Sequence, residues 1–177
     1  MKYYLLTMPE LRDKTKSIAR TLVWEDVEPY LLEAQNLDIK PKITDALLIE
    51  LLTYLDVETQ DDLVFNMLLD GGVYTIKGKR FVFSGLKASL SYYTYARLTN
   101  NLNYDLNRSG LTEHNDQYSL KTEIVQRKTM RMDAVSTADA YMSECLHFIK
   151  ANVDRFKMFE CSPVRMKNNI RLRTIGD

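Results

Sequence analysis

This sequence has little of what most enzymes and most secreted domains are built from. It has two histidines, two cysteines and one tryptophan in 177 residues. The cysteines, Cys145 and Cys161, lack metal-ligand spacing, so a zinc ribbon or a disulfide framework is excluded as the organising principle. Cys145 falls on an apolar helix stripe and reads as a small core residue in a reduced environment. His114 stands alone in a polar stretch, and His147 lies opposite the apolar stripe of its helix. Neither sits where a triad or a metal site needs it. Glycine is sparse, with six residues. Gly71-Gly72 lacks the Lys-Ser/Thr that follows in a phosphate loop, and no serine occupies a nucleophile elbow. Apolar runs are only a few residues long, against the ~20 a membrane-spanning helix needs. The start, MKYYLLTMPELRDK, has no signal-peptide core and reads as belonging to a protein that is not secreted. Net charge is absent as well: 24 basic residues balance 24 acidic ones. That argues against a dedicated DNA-binding protein, which needs clustered excess Lys and Arg.

What is present is helical periodicity and a charge split. Residues 22–62 carry Glu25, Asp26, Glu28, Glu33, Asp38, Asp45, Glu50, Asp56, Glu58, Asp61 and Asp62 against Lys40 and Lys42. The end of the chain carries Arg155, Lys157, Arg165, Lys167, Arg171 and Arg173 against Glu160 and Asp177. The two regions could attract each other between copies, or form solvated faces of opposite sign.

Along the chain, a weak helical pattern over 10–20 precedes an extended Thr21-Leu22-Val23-Trp24. Asp26 can cap a helix with Pro29 in its first turn, and Pro41 is expected to end that helix. Thr44 or Asp45 opens the next, with a stripe of Leu47, Leu48, Leu51, Tyr54 and Leu55. Thr59-Gln60-Asp61-Asp62 resembles a capping box for a helix that Gly71-Gly72 stops. As a metal pair Asp61-Asp62 is the weaker reading. The period then changes: VYTI and RFVF around Lys77-Gly78-Lys79 predict a β-hairpin at 73–83. Such a hairpin must lie on helices or borrow strands from a neighbour.

A long helix is expected from Ser84-Gly85 to about Leu106. Leu86, Leu90, Tyr93 and Tyr104 make one stripe; Tyr95, Leu98, Leu102 and Leu106 make nearly the opposite one. A helix apolar on two faces is covered on two faces, and the second cover is expected from another subunit. A polar loop follows at 107–121. The second long helix runs from about Thr122 to Phe156, with the stripe Ala134, Val135, Ala138, Tyr141, Met142, Cys145, Leu146, Ile149, Val153 and Phe156. Met130 and Met132 read as helix surface or interface filler. The basic tail 157–177 reads as extended. The expected architecture is mainly α: a compact bundle over 1–156 with two long helices, a small hairpin insertion and the extended tail.

Five blocks in this order carry a resemblance. The first runs from Leu31-Leu32-Glu33-Ala34-Gln35 to Ile39-Lys40-Pro41-Lys42-Ile43. The second is Leu51-Leu52-Thr53-Tyr54-Leu55. The third is Gly85-Leu86-Lys87-Ala88-Ser89-Leu90-Ser91-Tyr92-Tyr93-Thr94-Tyr95-Ala96. The fourth is the loop from Gly110-Leu111 to Ser119, and the fifth is Tyr141 to Phe156 with Asn152 inside. Over roughly residues 18–160 this resembles the head–tail connector (adaptor, or head-completion) proteins of tailed double-stranded DNA phages. The hairpin and the tail beyond 160 fall outside it.

The resemblance implies a structural virion protein at the neck, assembled in the host cytoplasm. It implies a homo-oligomeric ring, twelve-fold as a rule, under the portal protein. The ring extends the channel for genomic DNA without sequence-specific binding and receives tail or further neck-ring proteins. It implies no enzymatic activity, no cofactor, no metal and no membrane. Tyr92, Tyr95, Leu98, Leu102, Leu111, Tyr118, Arg165, Lys167, Arg171 and Arg173 are then expected at subunit or portal interfaces. Ala34, Gln35 and Pro41 form a packing motif: Ala34 admits a close neighbouring helix, and Gln35 bonds backbone at the turn forced by Pro41. The alternative is a small helical nucleic-acid-binding or regulatory protein using the basic tail. An enzyme with an unrecognised, metal-independent site is the third reading.

Overall fold

The computed structural model describes residues 3–16, 18, 21–57, 61–101, 104–107, 110–113 and 124–157. The described chain is mostly helical with a small antiparallel hairpin at 72–83, as the periodicity predicts.

The N-terminal arm enters the core first. Leu5, Leu6 and Leu11 are buried, the last on the short helix α1, Met8–Lys14. Glu10 closes the start of α1 by accepting from the Thr7 amide (2.8 Å) and hydroxyl (2.7 Å). Val23 is extended, but α2, Trp24–Glu33, already begins at Trp24. Asp26 therefore caps from inside: it is the third helical residue and accepts from the Val23 amide (3.3 Å). Pro29 lies in the helix interior rather than its first turn.

Pro41 does not end this helix. The rod continues from α2 through a π-helical segment, Ala34–Ile39, into α3, Lys40–Ile43. The Lys40 amide reaches the Gln35 carbonyl, five residues back. In an α-helix the Pro41 ring would press on the carbonyl four residues earlier. The wider turn before it removes that clash, so the rod survives its proline. It stops at Thr44, whose φ of 80° breaks the helix. The Thr44 hydroxyl then caps α4, Asp45–Asp56, by accepting from the Leu47 amide (3.4 Å).

In α4, Leu47, Leu48, Leu51, Leu52 and Leu55 face the core. Helix α5, Leu63–Asp70, is capped by Asp62, which accepts from the Val64 (2.9 Å) and Phe65 (3.1 Å) amides. Asp62 itself is the cap, displacing the expected Thr59 box; Thr59 lies outside the described residues. Gly71 ends α5 at φ 87°.

Strands β1, Gly72–Ile76, and β2, Lys79–Phe83, pair antiparallel with Val73 opposite Val82 and Tyr74 opposite Phe81. Lys77 and Gly78 both have positive φ, which fits a two-residue turn. The hairpin lies on the chain's own helix. Phe83 stacks on Phe148 at 4.7 Å, and Tyr74 meets Phe148 edge-on at 5.0 Å.

Helix α6, Leu86–Asn101, is the axis of the fold. The rod, α1, α5 and α7 (Ile124–Ala151) all pack on it. Here two expectations are corrected. The helix stops at Asn101, and Tyr104–Asn107 and Gly110–Glu113 form a second antiparallel hairpin, β3–β4, with Leu106 opposite Leu111. Tyr104 and Leu106 thus belong to a strand, and residues 107–121 are not one unbroken loop. The second correction concerns cover. Leu86, Leu90, Tyr93, Tyr95 and Leu98 are all buried within this one chain. Even the polar residues between them are inside: Ser89 donates to the Ala138 carbonyl of α7 (2.9 Å), and Ser91 and Thr94 donate to carbonyls one turn back. No second subunit is needed to cover α6.

Most of the stripe expected on α7 is buried, but Val135, Tyr141, Leu146 and Val153 are half-buried and Phe148, which that stripe does not include, is in the core. Ala134, Ala138, Met142, Cys145 and Ile149 face α6, and Phe156 fills the core just past the helix end. The helix is 28 residues long, about 42 Å. Its first third is largely exposed. From Val125 to Asp133 every side chain is exposed except Arg127, which is half-buried.

Candidate functional site

The packing motif of the sequence is a clamp. Gln35 is buried in the π segment. Its Oε1 accepts from the Leu5 amide (3.0 Å), and its Nε2 donates to the Tyr3 carbonyl (2.9 Å). The side-chain amide therefore acts as a strand partner for the N-terminal arm. It bonds backbone, as expected, but at residues 3–5 and not at the Pro41 turn. Tyr4 closes the arm from outside, edge-on to Trp24 at 5.3 Å and donating its hydroxyl to Glu28. Ala34 is fully buried in the segment that faces α6. Arg97 on α6 holds the same segment, donating to Asp38 (2.9 Å) and Glu33 (2.9 Å).

Two further polar clusters are hidden in the sequence, because their members are far apart along the chain. The Lys42 ammonium donates to Asp139 (2.6 Å) and meets the Tyr93 hydroxyl, which itself donates to Asp139. Burial, then the hydrogen bond to Asp139, then the charges of Asp139 and Asp38 push the Tyr93 hydroxyl far up. The Asp139 carboxyl is held below its ordinary value by the bonds from Lys42 and Tyr93, against burial. Tyrosine stays protonated and aspartate ionised, so the cluster ties α3, α6 and α7 together and has no group poised for proton transfer near neutrality. The second cluster is Lys87, buried on α6, bonded to Glu10 (2.7 Å) and Asp70 (3.3 Å).

The described cysteine and histidine, Cys145 and His147, are built into the fold. Burial first, then the neighbouring Glu144 charge, pushes the Cys145 thiol up to about 12. His147 is at the surface, as its helix position predicts, but it serves the hairpin: Nδ1 meets the Tyr74 hydroxyl at 2.6 Å, and the ring lies against Phe81. Among the described residues no group of three His, Cys, Asp or Glu side chains converges as a metal ion requires.

The expected interface residues scatter. Tyr95 and Leu98, expected at a subunit interface, are buried in the core of this chain; Tyr95 packs with Ala134 and Val135 of α7 and with Ile18. Tyr92 is half-buried, edge-on to Tyr141 at 5.7 Å. Leu111 lies in β4. Leu102, Tyr118, Arg165, Lys167, Arg171 and Arg173 lie outside the described residues. Basic partners for the acidic half come from within the chain: Arg155 donates to Asp62 (2.7 Å) and Glu50 (3.3 Å).

The overhang of α7 is one of several places where the described residues leave apolar side chains uncovered, along with Val73 and Val82 on the first hairpin and Leu37 on the rod. Val125 is 71 % exposed, Met132 62 % and Met130 42 %. At 100° per residue Val125 and Met132 share the helix face opposite the core stripe. An open cleft of about 440 Å³ runs along the same helix, lined by Arg131, Met132, Val135, Ser136 and Asp139. Far from it, on α4 and around the start of α5, Ile49, Val57 and Leu63 are each at least half exposed. The described helices include none that is long and apolar enough to cross a membrane.

Residues 41–169 match the model of a family described as a family of unknown function, DUF6712. Neither the curated proteins nor the solved structures contain a significant match.

Proposed function

This chain belongs to the DUF6712 family, and we propose that it is a structural virion protein. It is a head–tail adaptor whose copies form a ring below the portal, extend the DNA channel and join the capsid vertex to the tail. The order of the five sequence blocks motivates the reading. The observation that supports it most is the α7 overhang. Helices draw most of their stability from packing. Here a single helix runs on for about nine largely exposed residues, carrying Val125, Met130 and Met132. Exposed apolar side chains on such a stretch suit a protein whose work is contact.

A neutral chain suits a conduit, since tight phosphate binding would hold the DNA that must slide. Cryo-microscopy of the parent particle tests the reading. The expected result is a ring of this chain between portal and tail, and its absence from the neck ends the proposal. The alternative, nucleic-acid binding through 157–177, predicts tight DNA affinity with a steep salt slope that deletion of the tail abolishes; the adaptor reading expects neither.

A further inference from the structure

Two uncovered patches lie at opposite ends of α7. At its amino end the overhang combines Val125, Met130 and Met132 with exposed Lys128 and Arg131. The first turn of α7 holds no acidic residue. Asp133, the acidic residue of this exposed stretch, is paired with Lys16. At the carboxyl end of α7, Arg155 bonds Asp62 and Glu50 and so fixes α4 and α5 nearby. The sequence of that neighbourhood is acidic: no Lys or Arg occurs from Ile43 to Ile76. Asp56 closes α4 and is exposed. Asp61 and the aliphatic Ile49, Val57 and Leu63 are exposed beside it. Each patch thus has apolar surface plus charge, and the two signs are opposite.

We propose that the α7 overhang of one copy docks on the α4–α5 face of the next, as the repeating contact of the assembly. The inference rests on the ring reading and names its interface. The patches are separated by most of the roughly 42 Å of α7, so one chain can give and receive the contact at once. Two different faces that meet head to tail generate a closed ring or an open filament, never a closed two-fold dimer.

The test uses the full-length protein and light scattering. Lys128→Glu with Arg131→Glu is expected to weaken association about tenfold or more, and so is Asp56→Lys with Asp61→Lys. Mixing the two variants is expected to restore it, because every interface in an alternating assembly then joins opposite charges. As a second measurement, in a Cys161→Ser background, Ile49→Cys protein mixed with Met132→Cys protein should cross-link 49 to 132 well ahead of 49 to 49 or 132 to 132. If wild type assembles and both charge variants assemble equally well, the docking is wrong and the ring reading stands. Loss of assembly that mixing does not restore, with no preference for the 49–132 link, also overturns the docking. A wild type that stays a single copy at all concentrations overturns both.

Discussion

The Lys87 ammonium is enclosed on the central helix, and its charge is acceptable there only because Glu10 and Asp70 reach it. Burial alone would lower its pKa, but the bonds and charges of its two partners raise it overall. Burial alone would raise Glu10, but the bonds from Lys87 and Thr7 bring it below its ordinary value. The signs then follow. The Lys87 contribution is complete below its unfolded pKa and is lost as pH rises through the raised folded value. The Glu10 contribution is complete above its unfolded pKa and is lost as pH falls through the lowered folded value. Both hold at neutrality, and acid removes the Glu10 half. Urea unfolding midpoints should fall as pH drops below about 4.5, with a shallower fall in Glu10→Gln. Removing both partners, Glu10→Gln with Asp70→Asn, leaves an uncompensated buried cation and should cost about 3 kcal/mol at neutral pH. Gln35 makes the analogous argument without charge. Gln35→Met keeps the volume but orphans the buried Leu5 amide, for an expected loss of about 2 kcal/mol. Faster exchange of the Leu5 amide proton should accompany it, and an unchanged rate would mean that the arm is held by its leucines alone.

At the scale of elements, the junction of α5, the hairpin and α6 depends on two glycines. A Cβ on Gly85 would lie 2.3 Å from the Gly71 nitrogen and 2.6 Å from the Leu69 oxygen, and its φ is 82°. Gly85→Ala should therefore cost about 3 kcal/mol or more, read as lost soluble yield or a lowered melting temperature. Local chemistry makes these boundaries legible from the residues alone: Gly71 ends a helix, Lys77-Gly78 turns a hairpin, Thr44 caps. The α7 stripe is legible for the same reason, since steps of three and four need no knowledge of the partner. Elsewhere the answer lies outside the segment. Ser89, Ser91 and Thr94 are polar residues on different sides of α6, yet all three bond carbonyls inside the core. The all-round burial of α6 thus depends on what surrounds it. The second hairpin is not legible, because Arg108-Ser109 lacks the Asn-Gly type of turn signal. Nor is the π segment, because Pro41 reads locally as a stop. Of the candidate site, the packing motif is legible as to residues but not as to partner: the Gln35 clamp joins positions 30 and 32 residues apart.

At the scale of the molecule, the distribution of apolar surface separates stability from assembly. The sequence suggests a central helix too greasy for one chain to cover. The structure moves the surplus elsewhere: α6 is enclosed, while the α7 overhang and the α4–α5 face remain open. Two sets of substitutions should therefore behave in opposite ways. Leu98 is 2 % exposed, so Leu98→Ala opens a cavity inside the monomer and should cost about 2–5 kcal/mol in urea unfolding. Any loss of assembly would follow from that loss of folding. Val125→Ser with Met132→Ser changes surface that touches little in the folded chain, and should shift unfolding by no more than about 0.5 kcal/mol. Its effect should appear only when copies meet, as monomers that fold normally and no longer associate. The reverse pattern, with Leu98→Ala folding at full stability but failing to assemble, would return the subunit contact to α6 and leave the overhang without a purpose.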